Sequence, residues 1–468
     1  MKFSKLAWFL GVFSACLALP ARSQTAIPLY KFTDLGTLGG ANSAAYGINA
    51  SGQVVGYSDT SVPNIFHAFR TAASSPINPL TDDLGALGGM VSVATSINDF
   101  GQVAGYAPPI AYGPPSFLIH AFRTSANSPI HPAIDDLSAD VTRSWALGIN
   151  ASGQVVGYAN TTADAPDLAF RTAPNSAINP LTDIFGTLGG TNSVAYGINA
   201  SGQVVGYAST SGNLAVHAFR QDGSTMSDVG TLGGTLSQAN GINDSGQVVG
   251  LADATGNAGP YAFRTAPNRV INPLTDDLGT LGGNGSVALS INAYGEVVGY
   301  ASTIGDTAIH AFLYNDGAMF DLNELIPAGS GVVLNSATGI NSAGQIVGYT
   351  CCNPQYPLQR RAFLLTPIYS ALVTPPIRAD GSSVFNTSRT IPVKFTLTEN
   401  DIATCILPPA TISITRTASG TVVFNSPIEP TGCQYHYNLA ASSLGVGTYL
   451  VDINVNGIAV GHAMFALK

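Results

Sequence analysis

The chain has 468 residues, of which 10% are charged, 45% are hydrophobic and 80 are glycine or proline (52 and 28). Its formal net charge is −9, and so sparse and acidic a charge set lacks the clustered basic face that nucleic acid requires. The apolar residues recur periodically, which excludes disorder, and many short apolar runs between glycines and prolines predict an all-β protein full of turns.

The chain starts MKFSKLAWFLGVFSACLALPARSQTAIP. Lys2 and Lys5 form a basic start, residues 6–19 an apolar core, and Ala21-Arg22-Ser23 a small-x-small exit. This pattern predicts a secretory signal peptide over residues 1–23, with an N-terminal membrane anchor as the competing reading. Cys16 is a poor lipidation site, because Phe13 stands three residues before it and the apolar run continues past it. No later stretch reaches the ~20 apolar residues of a membrane helix. The mature chain is expected to be secreted or at the cell surface, without a membrane span. An oxidising compartment then permits disulfides among Cys351, Cys352, Cys405 and Cys433.

From residue 30 the chain is repetitive. Residues 47–57 read GINASGQVVGY, and the same string recurs at 148–158 and 197–207. Looser copies are SINDFGQVAGY (96–106), GINDSGQVVGL (241–251), SINAYGEVVGY (290–300) and GINSAGQIVGY (339–349). Their isoleucines, from Ile48 to Ile340, are spaced 49, 52, 49, 44, 49 and 49 residues apart. A period this regular predicts an array of like units.

Each unit divides into four predicted strands. In the first, residues 43–49 form a strand of small residues. Ala50-Ser51-Gly52 is a tight turn, with Asn49 bonding its own backbone and Gly52 supplying positive φ. Residues 53–57 form a second strand, His67-Ala68-Phe69-Arg70 a third, and residues 83–87 a fourth that ends in Gly88-Gly89. The HAFR element recurs at 120–123 and 217–220, with variants LAFR, YAFR, HAFL and RAFL elsewhere. The fourth element recurs as DLGTLGG at 34–40 and 277–283 and as DVGTLGG at 228–234.

The ends are informative. The array opens with a lone fourth element (30–38) and closes with a third (361–365) that has no fourth. A ring closes if the first strand completes the last unit, and closure removes exposed sheet edges. The prediction is a seven-bladed β-propeller over residues 24–366, closed by an N-terminal strand. A linear β-solenoid is the alternative, but it leaves the spare and the missing strand unexplained. The loops between second and third strands vary most between units, so the face that carries them is the candidate ligand face.

After residue 366 the period stops. Short strands at 393–398, 410–417, 421–425, 434–439, 447–455 and 459–466 predict an immunoglobulin-like β-sandwich over residues 367–468. Cys405 and Cys433 would close a loop of moderate length within it.

DLGTLGG, GINASGQVVGY and HAFR together resemble the HAF-repeat family of extracellular bacterial proteins, over residues 30–365. Ile391-Pro392-Val393-Lys394-Phe395 resembles the PxKF domain, over residues 369–468. These resemblances imply an extracellular location and support the fold. They carry no catalytic residue set. The third repeat departs most from the pattern, because residues 138–142 lack the glycines.

Candidate chemistry is sparse. His67, His120, His217 and His310 hold equivalent positions, but equivalent residues of neighbouring blades lie too far apart for one metal ion, and Leu168, Tyr261 and Arg361 replace them. Five arginines (Arg70, Arg123, Arg171, Arg220, Arg264) recur nearly together with Asp34, Asp83, Asp136, Asp228, Asp277 and Asp321. That recurrence suggests Arg–Asp pairs bracing each blade rather than an anion-binding rosette. The Asn-Ala-Ser-Gly turn at Asn49 offers none of the carboxylates of a calcium loop, and Asn49 and its six counterparts are expected to cap turns. No Ser/His/Asp set, paired carboxylates, phosphate loop or zinc motif stands out, so no catalytic residue, metal or cofactor is expected.

Unmatched residues are candidates for the ligand face: Cys351, Cys352, Tyr112 and Trp145. The reading favoured is an exported, non-catalytic binding or scaffold protein whose partner is an extracellular glycan or protein. A propeller hydrolase or lyase acting on an extracellular polysaccharide is the alternative, and a structural surface-layer role is a third.

Overall fold

The computed structural model describes residues 29–109, 118–162, 164–350, 359–378, 380–400, 402–405 and 408–468. The signal-peptide segment, Tyr112, Cys351 and Cys352 lie outside the described residues. The chain is all-β, built from antiparallel sheets. Among the described residues no helix is long and apolar enough to cross a membrane.

Each repeat forms its own sheet from local signals. In the first, Gly39–Ile48, Val54–Thr60 and Phe66–Arg70 pair in sequence. Gly52 turns the chain at φ 82°, and its N–H donates to the Asn49 carbonyl at 3.0 Å. Gly56 is needed for close approach. A Cβ there would stand 1.9 Å from the carbonyl oxygen of Ala44, and glycine recurs at this place in every copy.

The fourth strand departs from expectation. It is a full strand at Tyr30–Gly36, Thr225–Gly230 and Ala318–Asp321. In the other four places it shrinks to one bridge: Phe69–Asp83, Phe122–Asp136, Phe170–Ile184 and Phe263–Asp277. The links explain the difference. Gly223-Ser224 and Asp316-Gly317 make tight hairpins that let both strands pair. The longer links are tied to themselves instead: the N–H of Asn78 donates to Asp82 Oδ2 at 2.8 Å, and that of Leu80 to Asn78 Oδ1 at 3.1 Å.

Tyr30–Gly36 pairs antiparallel with Arg361–Pro367, the partner that the count of end strands assigns to it. The core lies between successive repeats. Val55 and Ala68 of the first pack in one buried cluster with Phe122 of the second. Val347 and Ala362 of the seventh pack in the same way with Phe69 of the first. All seven phenylalanines of this set, from Phe69 to Phe363, are fully buried. Ser43 accepts the N–H of Ala362 at 3.0 Å, and Ser92 that of Ala68 at 2.8 Å, so a buried hydroxyl joins neighbouring repeats.

The last hundred residues form two five-stranded sheets over one core. One holds Tyr369–Thr374, Thr390–Glu399 and Gln434–Ala440, and the other holds Ile458–Leu467, Gly447–Val455, Ala410–Arg416 and Thr421–Ile428. Thr390–Glu399 alternates buried and part-exposed positions, as a strand with one covered face must. Cys405 and Cys433 are joined by a disulfide. Four strands of the tail were not read from the sequence: Tyr369–Thr374, the short Ser383–Phe385, which pairs parallel with Ile458–Leu467, and the two-residue Ile402–Ala403 and Pro430–Thr431.

Candidate functional site

All seven copies of the repeated string converge on one axis. Their isoleucines and asparagines, from Ile48 and Asn49 to Ile340 and Asn341, line a single cavity of about 330 Å³. Each asparagine caps its turn, as expected: Asn49 Oδ1 accepts the N–H of Gln53 at 2.9 Å and the Ser51 hydroxyl at 2.8 Å. Each also does something the sequence did not reveal. Asn49 Nδ2 donates to the carbonyl of Asn98 in the next repeat at 3.1 Å, and Asn98 passes the same bond to Asn150 at 3.0 Å. The circuit runs through all seven and returns from Asn341 to Asn49.

The other end of the axis is aromatic. The fourth residue of the second strand is tyrosine in six repeats, Tyr57, Tyr106, Tyr158, Tyr207, Tyr300 and Tyr349, with Leu251 in the remaining one. Register sets each beside the first strand: Tyr57 faces Ala44, Tyr158 faces Trp145, and Tyr207 faces Val194. Tyr46 and Tyr196 reach the same region from the first strands, with ring centroids 5.9 Å from Tyr57 and 6.0 Å from Tyr207. Together they form a basin of about 450 Å³, lined by Tyr46, Tyr106, Tyr196, Tyr300 and Tyr349 among threonines, leucines and amides. Every one of these rings is half-buried.

Trp145, a sequence candidate, stacks on Tyr158 at 4.7 Å and 11° beside this basin. The tyrosines themselves were missed as a group. They stood inside the repeated string and read as part of its scaffold, and only convergence on the axis makes them one surface.

The basin is uncharged. Burial, then neighbouring Tyr207, pushes the Tyr196 phenol up to about 12, and burial likewise raises Tyr46 and Tyr158. These hydroxyls therefore stay protonated and can donate at neutral pH. At the edge, the Arg360 guanidinium sits 5.1 Å over the Tyr349 ring. Half-buried rings with hydroxyl handles offer flat apolar faces and directional hydrogen bonds together.

The repeated histidines and aspartates pair with each other. His67 meets Asp83 at 2.9 Å, His120 Asp136 at 2.7 Å, His217 Asp228 at 2.7 Å and His310 Asp321 at 2.6 Å. This corrects the expected Arg–Asp brace. Four of the five arginines point at the neighbouring repeat instead, as when Arg70 Nη1 donates to the carbonyls of Gly101 and Ser128 and Arg123 to those of Gly153 and Ser176, while Arg220 pairs with Asp222 of its own strand at 2.8 Å. The aspartate stands opposite the phenylalanine, residue three of HAFR, so by strand alternation residue one shares its face and residue four points to the other. Where arginine takes the histidine place, at Arg361, it pairs with Asp34 at 3.3 Å. Among the described residues no group of three His, Cys, Asp or Glu side chains is placed to hold a metal ion.

A second polar cluster joins the repeats to the tail. Six copies carry glutamine at the seventh position of the string, and the sixth carries Glu296. Glu296 is buried 3.9 Å from His462, whose Nδ1 meets Asp452 at 2.6 Å and whose ring stacks on Tyr294 at 3.8 Å. Asp316 accepts from Ser413 and Asn454, each at 2.8 Å. Burial disfavours a charged His462, but its bond to Asp452 and the charge of Glu296 overcome this and raise its pKa. The single Gln-to-Glu departure was the available sequence signal.

No family model matches the chain, and no curated protein matches it.

Proposed function

We propose that the chain is an exported, non-catalytic binding protein that holds a neutral extracellular glycan in its tyrosine basin. In this reading residues 24–366 are a seven-bladed β-propeller of the HAF-repeat kind. Residues 367–468 are an immunoglobulin-like β-sandwich of the PxKF kind. The closed asparagine circuit and the pairing of Tyr30–Gly36 with Arg361–Pro367 support the ring. The charged start and apolar core of residues 1–23 support export.

The observation that carries the binding reading is the basin itself. Sugar rings present apolar C–H faces with hydroxyls at their edges, which tyrosine complements with its ring face and its phenol. Glycoside hydrolysis calls for two carboxyl groups flanking the scissile bond, and the described residues that line the basin supply none. Binding therefore stands ahead of the hydrolase or lyase reading.

The test is binding of the purified mature chain to a panel of immobilised polysaccharides, with released sugars assayed in the same wells. Binding to a neutral polysaccharide without products is the expected result. Released sugars would replace this reading with the enzymatic one, and binding to none would remove the glycan.

A further inference from the structure

Between the third and fourth repeats, away from the tyrosine basin, the periodic pattern breaks and leaves a cleft of about 890 Å³. The cause is visible by comparison with the other junctions. At the first two, the arginine ending the third strand gives Nη1 to two carbonyls, one of them a serine in the long link of the next repeat: Ser128 for Arg70 and Ser176 for Arg123. The fourth repeat has a tight hairpin at Gly223-Ser224 in place of that link. Arg171 Nη1 accordingly donates only to Gly202, at 2.6 Å, among the described residues.

The fifth junction has the same kind of hairpin, at Asp316-Gly317. There Tyr314 stands opposite Val297 and covers Arg264 with its ring at 5.3 Å. In the fourth repeat the matching residue, opposite Val204, is Gln221. The smaller side chain leaves the space open.

Three groups in the cleft lack what would complete them. Gln221 is 4% exposed, and its Nε2 donates to the Gly223 carbonyl at 3.1 Å. Its Oε1 is buried with no partner, and a buried acceptor of this kind calls for a donor. Arg171 has donors to spare. Phe185 replaces the leucine of the repeat and keeps a half-buried ring, 5.8 Å from the Arg171 guanidinium. Asp183 also lines the cleft, but its carboxylate is taken up by the N–H of Asn179 at 2.8 Å and the hydroxyl of Thr182 at 3.0 Å.

We propose that this cleft is a second ligand site that takes one uronate unit of a polysaccharide. The carboxylate pairs with Arg171, the geometry for which guanidinium is best suited. A ring hydroxyl donates to Gln221 Oε1, and the C–H face of the sugar lies on Phe185. The site is independent of the tyrosine basin.

The experiment is saturation-transfer NMR and calorimetry on the mature chain with glucuronic acid, glucose and N-acetylglucosamine as probes. Two variants accompany it. Arg171→Gln removes the cation. Gln221→Tyr copies the filled junction of the sixth repeat, so the fold has a precedent for it. Glucuronic acid is expected to bind at millimolar concentration and the other two not. Both variants should weaken it by about tenfold or more, with the thermal midpoint of Gln221→Tyr kept, while Tyr46→Ala leaves it unchanged. The proposal is overturned if glucuronic acid does not bind, if Gln221→Tyr binds it like the parent, or if N-acetylglucosamine or glucose binds equally well and loses that binding in Gln221→Tyr.

Discussion

The side-chain amide of Asn341 donates to the backbone carbonyl of Asn49 at 3.0 Å, across 292 positions of sequence. It is the same bond that joins each earlier asparagine to the next repeat, for example Asn150 to Asn199 at 3.1 Å. Removing it by Asn341→Ala leaves a buried carbonyl without its partner and should cost about 1–3 kcal/mol. Asn199→Ala, inside the array, is the control. Equal losses in urea unfolding are expected; a far smaller loss at Asn341 would mean that the ends do not hold each other.

Deleting residues 24–36 should open the sheet that Tyr30–Gly36 completes and expose Arg361–Pro367 as a bare edge. The thermal midpoint should fall, and limited proteolysis should newly cut near residues 361–367. An unchanged midpoint would refute a closing role for this strand.

The contact between His462 and Glu296 should make tail docking depend on pH. The folded-state pKa of His462 is raised by Asp452 and Glu296 against the effect of burial. Its contribution is therefore full below the ordinary imidazole value and is lost as pH rises through the raised one. Burial also raises Glu296 and Asp452, so the folded state holds extra protons and the slope has the same sign. Melting followed from about pH 6 to pH 9 should show stability falling with pH. His462→Gln should flatten the slope; an unchanged slope would assign it to other groups.

Within the basin, Tyr46→Ala and Tyr196→Ala should each weaken binding of the captured polysaccharide by roughly 1 kcal/mol, about fivefold. Neither ring is among the fully buried core residues, so the thermal midpoint should change little. Retained affinity in both variants would move the glycan elsewhere.

Much of the fold is legible because its causes are local. Asn49 and Gly52 sit three residues apart and dictate one turn wherever the string occurs. Valines and phenylalanines at fixed offsets then bury the same faces in every repeat. Cys405 and Cys433 could be paired because both fall in the one segment outside the repeat. The Arg–Asp brace failed where the reasoning stopped being local. Recurrence in step says that two residues share a unit, not that they face each other, and the unit pairs Asp83 with His67.

The sequence by itself determined the number of repeats, their turns, the first three strands of each and the change of character at the tail, since each depends on residues a few positions apart. The tertiary structure decided which repeats meet and what gathers where they do. Half-buried tyrosines from Tyr46 to Tyr349 become one basin because the repeats set them at the same height around one axis. Glu296 meets His462 because the tail docks on the sixth repeat. Such meetings depend on the angle between successive sheets and on how two units seat against each other, and neither is written in the spacing of any single motif.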